Sequence, residues 1–227
     1  KNPDLVIKKI IRSSISDIIC KGVKPKYYFI SGSGNKKTFS KSNLSKISKS
    51  LNQEQNKYKI SLSGGDTVFS NKLSFTITSI GFANDILFRN KAKINDDIYV
   101  SGNLGDSYIG LLVLKNKLKL NHRLEKYFTN QYFMPNIQLK LADQIKKFAN
   151  TSIDISDGLS ADLDKMINNQ KLSYKLFLKD IPISNNLKKI LDPKRVLKIN
   201  CISNGDDYQV LFTASKNKMR IIKKIAS

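Results

Sequence analysis

The sequence of 227 residues predicts an α+β or α/β protein rather than an all-α one, with one large domain or two small ones. Segments with helical spacing of apolar residues are intermixed with segments that alternate like strands. Hydrophobic residues make up 40% of the chain, which is enough for real cores. A basic stretch around Arg89 to Lys93 is the best boundary between the parts. We therefore expect an N-terminal domain over residues 1–91 and a C-terminal domain over residues 92–227.

The first part is predicted to contain two helices and three strands. Isoleucines recur at helical spacing from Pro3 to Lys21, and Gly22 is a natural stop after a helix. A second helix is expected from Ser40 to about Gln55. The strands are expected at residues 26–31, 58–67 and 73–82. The middle strand, "YKISLSGGDT", is expected to run into a glycine turn.

The second part is predicted to begin with a strand, a glycine turn and a helix in "DIYVSGNLGDSYIGLLVL". A further helix is expected from Asn136 to Asn150. The segment "TSIDIS" is a predicted strand, followed by a helix from about Asp157. Two more strands and a last helix are expected at residues 172–178, 208–215 and 216–226.

The net charge of +22 has two interpretations. One is nucleic-acid binding. The other is compositional drift, which we favour because the basic residues are mostly lysines spread along the whole chain. Either way the surface field attracts anionic metabolites such as nucleotides. No apolar run is long enough for a membrane span. Cys20 and Cys201 lack metal-type spacing, so we expect buried thiols in a reducing cytoplasm.

Half of the acidic residues fall at five places, and most of these places have glycine beside the acid. Nine of the 18 acids lie in "SISD", "SGGDT", "NLGDS", "TSIDISDGLSADLDKM" and "NGDDY". Glycine allows tight turns and close approach to a ligand. Carboxylates at such turns suit Mg²⁺, which takes oxygen ligands together with waters and substrate phosphates. The pattern predicts metal-assisted phosphoryl transfer.

These acids are not equivalent. Asp154 and Asp157 flank Ser156 at a strand-to-helix junction, which favours a functional role for both. Asp66 follows two glycines, which also favours function. Asp17 lies near a helix C-terminus, where an acid opposes the helix dipole, so a metal or cationic partner is indicated.

The remaining acids have structural alternatives. Asp106 is as well explained by a helix N-cap as by a ligand role. Asp162 and Asp164 are expected on the solvated surface of a helix. His122 lies in the lysine-rich "KLNHRLEK" and is expected at the surface, so histidine-based catalysis has little support. The Walker motif of P-loop enzymes does not occur in the sequence.

The motifs "SISDIICKGVKP", "SGGDT", "GNLGDSYIGL", "IDISDGLSADL" and "NGDDYQVLFT" stand in this order. Together they resemble the thiamine-monophosphate kinase family, over nearly the whole chain. That family belongs to the superfamily of aminoimidazole ribonucleotide synthetase, selenophosphate synthetase and HypE. The resemblance implies a PurM-like two-domain architecture and a homodimer formed through the N-terminal domain. It also implies transfer of phosphate from ATP to thiamine phosphate, with several Mg²⁺ ions.

The resemblance also implies roles for individual residues. The implied metal ligands are Asp17, Asp66, Asp154 and Asp157. The implied ATP contacts are Gly65, Asp66, Arg89 and Ser156. Asp206 replaces a glutamate that contacts thiamine phosphate, because the usual "GGEDYEL" reads "NGDDYQV" here. That carboxylate is one methylene shorter than in the family.

Other features depart from the family. An upstream glycine-aspartate segment, a "DT…H" segment and the C-terminal part do not occur in the sequence, so the chain is expected to be truncated at both ends. Two other functions remain open. One is a different ATP-dependent superfamily member, such as aminoimidazole ribonucleotide synthetase. The other is a basic nucleic-acid-binding protein, which the acid-rich turns disfavour.

Overall fold

A computed structural model of the chain describes residues 2–191 and 196–226. Its helices are α1 (Pro3–Ile19), α2 (Lys41–Tyr58), α3 (Asp106–Leu114), α4 (His122–Phe133), α5 (Leu159–Ile167), α6 (Asn185–Lys188), α7 (Lys198–Ile202) and α8 (Met219–Ala226). Its strands are β1 (Pro25–Gly34), β2 (Ser61–Phe69), β3 (Ser74–Gly81), β4 (Asp97–Val100), β5 (Thr151–Asp154) and β6 (Val210–Ala214). The α+β class is confirmed. In the described part of the chain, no helix has the length and apolar character needed to cross a bilayer.

The first sheet has the order β2-β1-β3, with β1 parallel to β2 and antiparallel to β3. Helix α1 packs against it as the isoleucine spacing predicted. Ile7, Ile11, Ile15 and Ile19 recur every four residues and are fully buried. Gly22, at φ +74°, ends this segment in a conformation that favours glycine.

A buried ion pair fixes α1 against α2. The Nε and Nη2 atoms of Arg12 donate to the two Glu54 carboxylate oxygens at 2.8 and 2.9 Å. The Nη1 atom donates to the carbonyl of Pro135 at 3.2 Å. Because both partners are satisfied, α1 is held in one orientation relative to α2 and to the segment after α4.

The prediction of a glycine turn in "SGGDT" is wrong. Strand β2 continues through these residues and pairs in parallel with β1, with Asp66 opposite Ser31. The register shifts between Tyr28 and Phe29 on β1. A Cβ atom on Gly65 would lie 1.8 Å from the Ile30 carbonyl oxygen. Glycine therefore permits a close approach of two strands here, rather than a reversal of the chain.

The second sheet has the order β4-β6-β5, and both pairings are antiparallel. Its central strand β6 is buried along its whole length. One face helps to form a core with α1, through side chains such as Phe212, while Leu211 belongs to a second core with α3 and α5. The end of β5 thereby lies close to α1. The division of the chain at residue 91 remains a prediction.

Three predictions in the second part are wrong. Residues 136–150 form two short 3₁₀ helices, Leu139–Asp143 and Ile145–Lys147, rather than one α-helix. Helix α4 was missed, although Asn121 caps it and Phe128 is fully buried. Residues 172–177 form no strand and belong to neither described sheet. They line a groove of about 820 Å³ beside the edge strand β4.

Candidate active site

One face of α1 presents polar side chains to the end of the second sheet. Lys9, Ser13, Ser16 and Asp17 are spaced by three, four or one residues, so they share a helix face. The Oγ of Ser16 donates a hydrogen bond of 2.5 Å to the Asp154 carboxylate at the end of β5. The Nζ of Lys9 lies 2.7 Å from the Asp206 carboxylate. Helix α1 thus contacts two of the acid-bearing motifs.

The carboxyl groups of Asp17 and Asp154 each affect the pKa of the other. Burial, and then the negative charge of Asp17, raise the pKa of Asp154 to about 7, against the opposing effect of its hydrogen bond from Ser16. Burial also raises the pKa of Asp17, while its hydrogen bond with Asp154 and the charge of Lys21 act in the opposite direction. Buried carboxyl groups that repel each other are stabilised by a proton or by a cation bound between them.

The turn after β5 is held by a carboxylate that the sequence reading placed on the surface. Asp162 is fully buried, and its Oδ2 accepts hydrogen bonds from the amides of Ser156, Asp157 and Gly158 at 2.8, 2.8 and 3.1 Å. The prediction of a solvated Asp162 is therefore wrong. Asp162 lies in the first turn of α5, and its side chain points back to the free amide groups at the start of the helix, where negative charge is favourable. Asp162 fixes the turn that carries Ser156 and Asp157.

The Asp157 carboxylate lies at the outer edge of this turn. Its side chain is 64% exposed, and the Nζ of Lys165 contacts its carboxylate. The same ammonium group lies 2.9 Å from Asp162.

Asp164 is exposed and accepts a hydrogen bond of 2.8 Å from the hydroxyl of Tyr174, so its predicted surface position is confirmed.

The loop before β6 packs directly on this turn. The amide of Asp206 donates to the Ser156 carbonyl at 2.9 Å, and the amide of Tyr208 donates to the Ile155 carbonyl at 2.8 Å. Asp206 and Tyr208 have φ values of +69° and +50°. A Cβ atom on Gly205 would lie 1.7 Å from the Ser156 oxygen. Loop and turn form a single structural unit, and they bring two distant motifs together.

Two further acids stabilise the start of α3. Asp106 is the first residue of α3, and its buried carboxylate accepts hydrogen bonds of 2.7 Å from the hydroxyls of Tyr127 and Ser184. It is neither the N-cap nor a member of the Asp17–Asp154 pair. Asp207 accepts from the amides of Gly105 and Ser107 at 2.8 and 3.4 Å, and burial raises its pKa to about 7. Asp207 therefore supplies the capping contact that the sequence assigned to Asp106 as one alternative.

Three of the predicted ATP contacts, Gly65, Asp66 and Arg89, do not lie on the turn that carries Ser156. Gly65 and Asp66 are exposed on β2, an edge strand, where the Asp66 carboxylate accepts from the Thr67 amide at 2.7 Å. Arg89 is exposed between Phe88, which contacts the start of β5, and Asn90, which contacts the end of α5. The start of β5 and the end of α5 are opposite to the ends near which Asp154 and Asp157 lie. Across residues 2–191 and 196–226, no three acid, histidine or cysteine side chains are grouped to hold a metal.

Sequence reasoning missed three contributors to the site, namely Lys9, Ser16 and Asp162. A signal existed for each of them. Lys9 and Ser16 share the face of α1 that includes Asp17, and polar residues on one face of an isoleucine-rich helix indicate a second contact surface. Asp162 lies in the first turn of α5, where acids favour the free amide groups.

Comparison with known proteins identifies the family. Residues 1–83 match the model of the AIR synthase related protein, N-terminal domain. A thiamine-monophosphate kinase of Buchnera aphidicola subsp. Acyrthosiphon pisum is 34% identical over 232 residues, which cover 98% of this chain and 70% of that protein. The chain belongs to the thiamine-monophosphate kinase family. A second relative, from Buchnera aphidicola subsp. Schizaphis graminum, is also 34% identical, and 65% of its length is covered.

Solved structures of the thiamine-monophosphate kinase family have the same fold. The kinase of Aquifex aeolicus superposes with a TM-score of 0.89 at 28% identity, covering 96% of this chain and 74% of that one. A structure described as AaThiL complexed with AMPPCP and TMP gives a TM-score of 0.89, also at 28% identity, with coverage of 96% and 71%. A HypE–HypF complex, at 16% identity and a TM-score of 0.80, shares the fold alone. The predicted PurM-like architecture is confirmed.

Proposed function

We propose that this protein phosphorylates thiamine phosphate to thiamine diphosphate at the expense of ATP. Family membership supports the reaction, as does the related kinase complexed with AMPPCP and TMP. The observation that carries the proposal is the contact between "SISD" on α1 and "IDISDGL" at the end of β5, where the Oγ of Ser16, next to Asp17, donates to the Asp154 carboxylate. Two motifs of the family meet there as hard oxygen donors.

Mg²⁺ suits the donor set at this position. Burial, and then the negative charge of Asp17, raise the pKa of Asp154, and a bound cation would counteract both effects. Carboxylate oxygens are the ligands that Mg²⁺ prefers, with waters and substrate phosphates completing its coordination. We assign Asp17, Asp154 and Asp157 to the metal site, together with Asp66. Bound Mg²⁺ would offset the repulsion between the two polyanionic substrates.

ATP and thiamine phosphate are assigned to the surrounding residues. Gly65, Asp66, Arg89 and Ser156 are the proposed ATP contacts. The Ser156 position is well defined, because Asp162 holds its amide and the Asp206 loop holds its carbonyl. Asp206 is the proposed contact to thiamine phosphate, and its partly exposed carboxylate remains open to a ligand.

The chain's own groups would orient the reactants rather than transfer protons. A phosphate monoester has a second pKa near 6, so the attacking oxygen of thiamine phosphate needs no strong base. The single histidine, His122, is exposed on α4. Asp162 holds the turn at Ser156 and Asp157, and the loop at Asp206 is fixed to that turn. We infer direct in-line transfer without a phosphoenzyme; a covalent phosphoprotein detected during single turnover would contradict this step.

A homodimer through the N-terminal domain and a cytoplasmic location are part of the proposal. Edge strand β2 exposes Leu62, Val68 and Phe69, which are apolar side chains suited to burial in an interface. Cys20 and Cys201 are both free thiols, in keeping with a reducing compartment. Sedimentation of the wild type and of Val68→Lys tests the dimer, which we expect the charge to weaken.

ADP release in the presence of Mg²⁺ and ATP tests the function. We expect release to depend on added thiamine phosphate and to stop when EDTA removes the metal. Asp154→Asn should lower kcat by about 10²- to 10³-fold, the usual size of a lost electrostatic contact to the transition state. It should also abolish the rise in Tm that Mg²⁺ gives the wild type. ADP release that is indifferent to thiamine phosphate would contradict the proposal.

A substrate panel addresses the alternative functions. Aminoimidazole ribonucleotide synthetase chemistry predicts ADP release driven by its own substrate rather than by thiamine phosphate. A nucleic-acid-binding protein predicts affinity for DNA or RNA that falls steeply with salt, and little loss of that affinity in Asp154→Asn.

A further inference from the structure

The ammonium group of Lys9 lies inside a cage made of one acid and two aromatic rings. Its Nζ is 2.7 Å from Oδ1 of Asp206 and 4.3 and 4.8 Å from the ring centroids of Tyr132 and Tyr208. Only 13% of the Lys9 side chain is exposed. Burial lowers the pKa of Lys9, and the charges of Asp206 and Asp207 oppose that effect. An ammonium group at this depth is retained because the acid and the ring faces compensate its lost hydration.

Among the described residues, one of the two oxygen atoms of the Asp206 carboxylate has partners. Oδ1 receives Lys9 and also the hydroxyl of Tyr208, which donates at 3.1 Å. Oδ2 accepts no hydrogen bond from any residue in the described ranges, 2–191 and 196–226, and the side chain is 33% exposed. The cage therefore fixes one oxygen atom and leaves the other without a hydrogen-bond partner among the described residues.

The connection of Lys9 to the rest of the site is rigid. Lys9 precedes Asp17 by eight residues on α1, which corresponds to about 12 Å of helix rise. The Arg12–Glu54 ion pair, between the two positions, holds α1 in place. Because Asp206 and Tyr208 have positive φ values, the loop depends on contacts such as this one to keep its shape. The helix thus sets the distance between the proposed metal carboxylates and the proposed substrate carboxylate.

We propose that Lys9 is a positioning residue that determines affinity for the phosphate-accepting substrate, by fixing the Asp206 carboxylate so that Oδ2 accepts a hydrogen bond from that substrate. The inference rests on the proposed function and deepens it. Since Lys9 neutralises Asp206, the cage selects an N–H or O–H donor rather than a bare positive charge.

Isothermal titration of thiamine phosphate and of AMPPCP, measured separately, tests this role. We expect Lys9→Met to weaken thiamine phosphate binding by about tenfold or more, the loss typical of one charge-assisted hydrogen bond. AMPPCP affinity should fall by less than thiamine phosphate affinity, because Ser156 is the one proposed ATP contact bonded to the Asp206 loop among the described residues, and the Asp162 carboxylate also holds it. The control is Lys8→Met, which removes the same charge from the neighbouring position of α1 and should leave both affinities unchanged.

Chemical rescue separates charge from packing. Lys9→Ala leaves a cavity in the cage that propylammonium fits, whereas 1-propanol matches its size without the charge. We expect propylammonium, and not propanol, to restore thiamine phosphate affinity. Unchanged affinity in Lys9→Met, equal loss for both ligands, or equal rescue by propanol would each overturn the role of Lys9. If the wild type itself does not bind thiamine phosphate, the proposed function fails first, and that result is distinct from these.

Discussion

The turn at residues 154–158 and strand β2 carry similar sequence signals but lie in different environments. Both place an aspartate beside glycine at a strand. The turn is enclosed by α1, the Asp162 carboxylate and the Asp206 loop. Strand β2 is an edge strand whose Asp66 is exposed and bonded only to the adjacent amide among the described residues. The comparison teaches that an acid–glycine motif can organise a site within one chain or leave a surface open for a ligand.

Removal of the Asp162 carboxylate should have the largest effect on the enclosed region. Asp162→Ala leaves three backbone amides without their acceptor in a buried position. We expect the free energy of unfolding to fall by about 3 kcal/mol, measured by urea denaturation. The matched control is Asp164→Ala on the same helix, which should change it by less than about 0.5 kcal/mol. Similar losses in both variants would show that the amide contacts contribute little.

The close approach of loop and turn should be the next most sensitive feature. A Cβ atom on Gly205 would lie 1.7 Å from the Ser156 oxygen. Gly205→Ala should therefore lower the free energy of unfolding by about 2 kcal/mol, through forced displacement of backbone. In the first sheet, Gly32→Ala serves as the control, because its Cβ would meet only ring atoms of Phe39 and Phe75, at 3.3 Å. Equal Tm values for the two variants would contradict the proposed rigidity of the unit.

Asp154 should make stability depend on pH. Its pKa is about 7 in the folded protein and about 3.9 in an unfolded chain. The folded state therefore binds more protons between these values. The contribution of Asp154 to the free energy of unfolding is fully present below about pH 4 and falls as the pH rises towards 7. Asp154→Asn should reduce the difference in unfolding free energy between pH 5 and pH 8. Some dependence should persist, because the pKa of Asp207 is raised in the same direction. A slope as steep as that of the wild type would refute the assignment to Asp154.

Substitution on β2 should have the smallest effect on stability. Asp66 is exposed, so Asp66→Asn should change the free energy of unfolding by less than about 0.5 kcal/mol. If Asp66 contacts ATP as proposed, AMPPCP affinity should still fall by about tenfold, the loss of one charged contact. Titration calorimetry together with thermal melting measures both quantities. A large loss of Tm would assign Asp66 a structural role instead.

Sequence reasoning succeeded where one local pattern dominates. Helix α1 was placed within two residues because its buried isoleucines repeat every four positions. The strand and turn around Asp154 were found because β-branched residues precede an Asp–Gly pair. Local patterns of this kind are set by backbone geometry, and tertiary contacts reinforce them.

The failures have a tertiary origin. Asp162 reads as polar surface, but its partners are amides of a turn that folds back onto the helix. Residues 136–150 have the apolar spacing of an α-helix. After Pro135 they form two short 3₁₀ helices instead, and these bury the apolar side chains in the core. The predicted strand at 172–178 lies beside a groove rather than against β4. The Lys9 cage was not predictable, since its members come from three separate segments, namely α1, α4 and the loop before β6.

The contact between Gly205 and Ser156 also constrains how this site can evolve. Gly158 makes a reciprocal approach, since a Cβ atom there would lie 2.4 Å from the Ser203 oxygen. Each segment therefore excludes a side chain from the other at one position, Gly158 or Gly205. Because the two segments pack this closely, a chimera that exchanges residues 154–158 with a relative should carry residues 203–208 from the same parent.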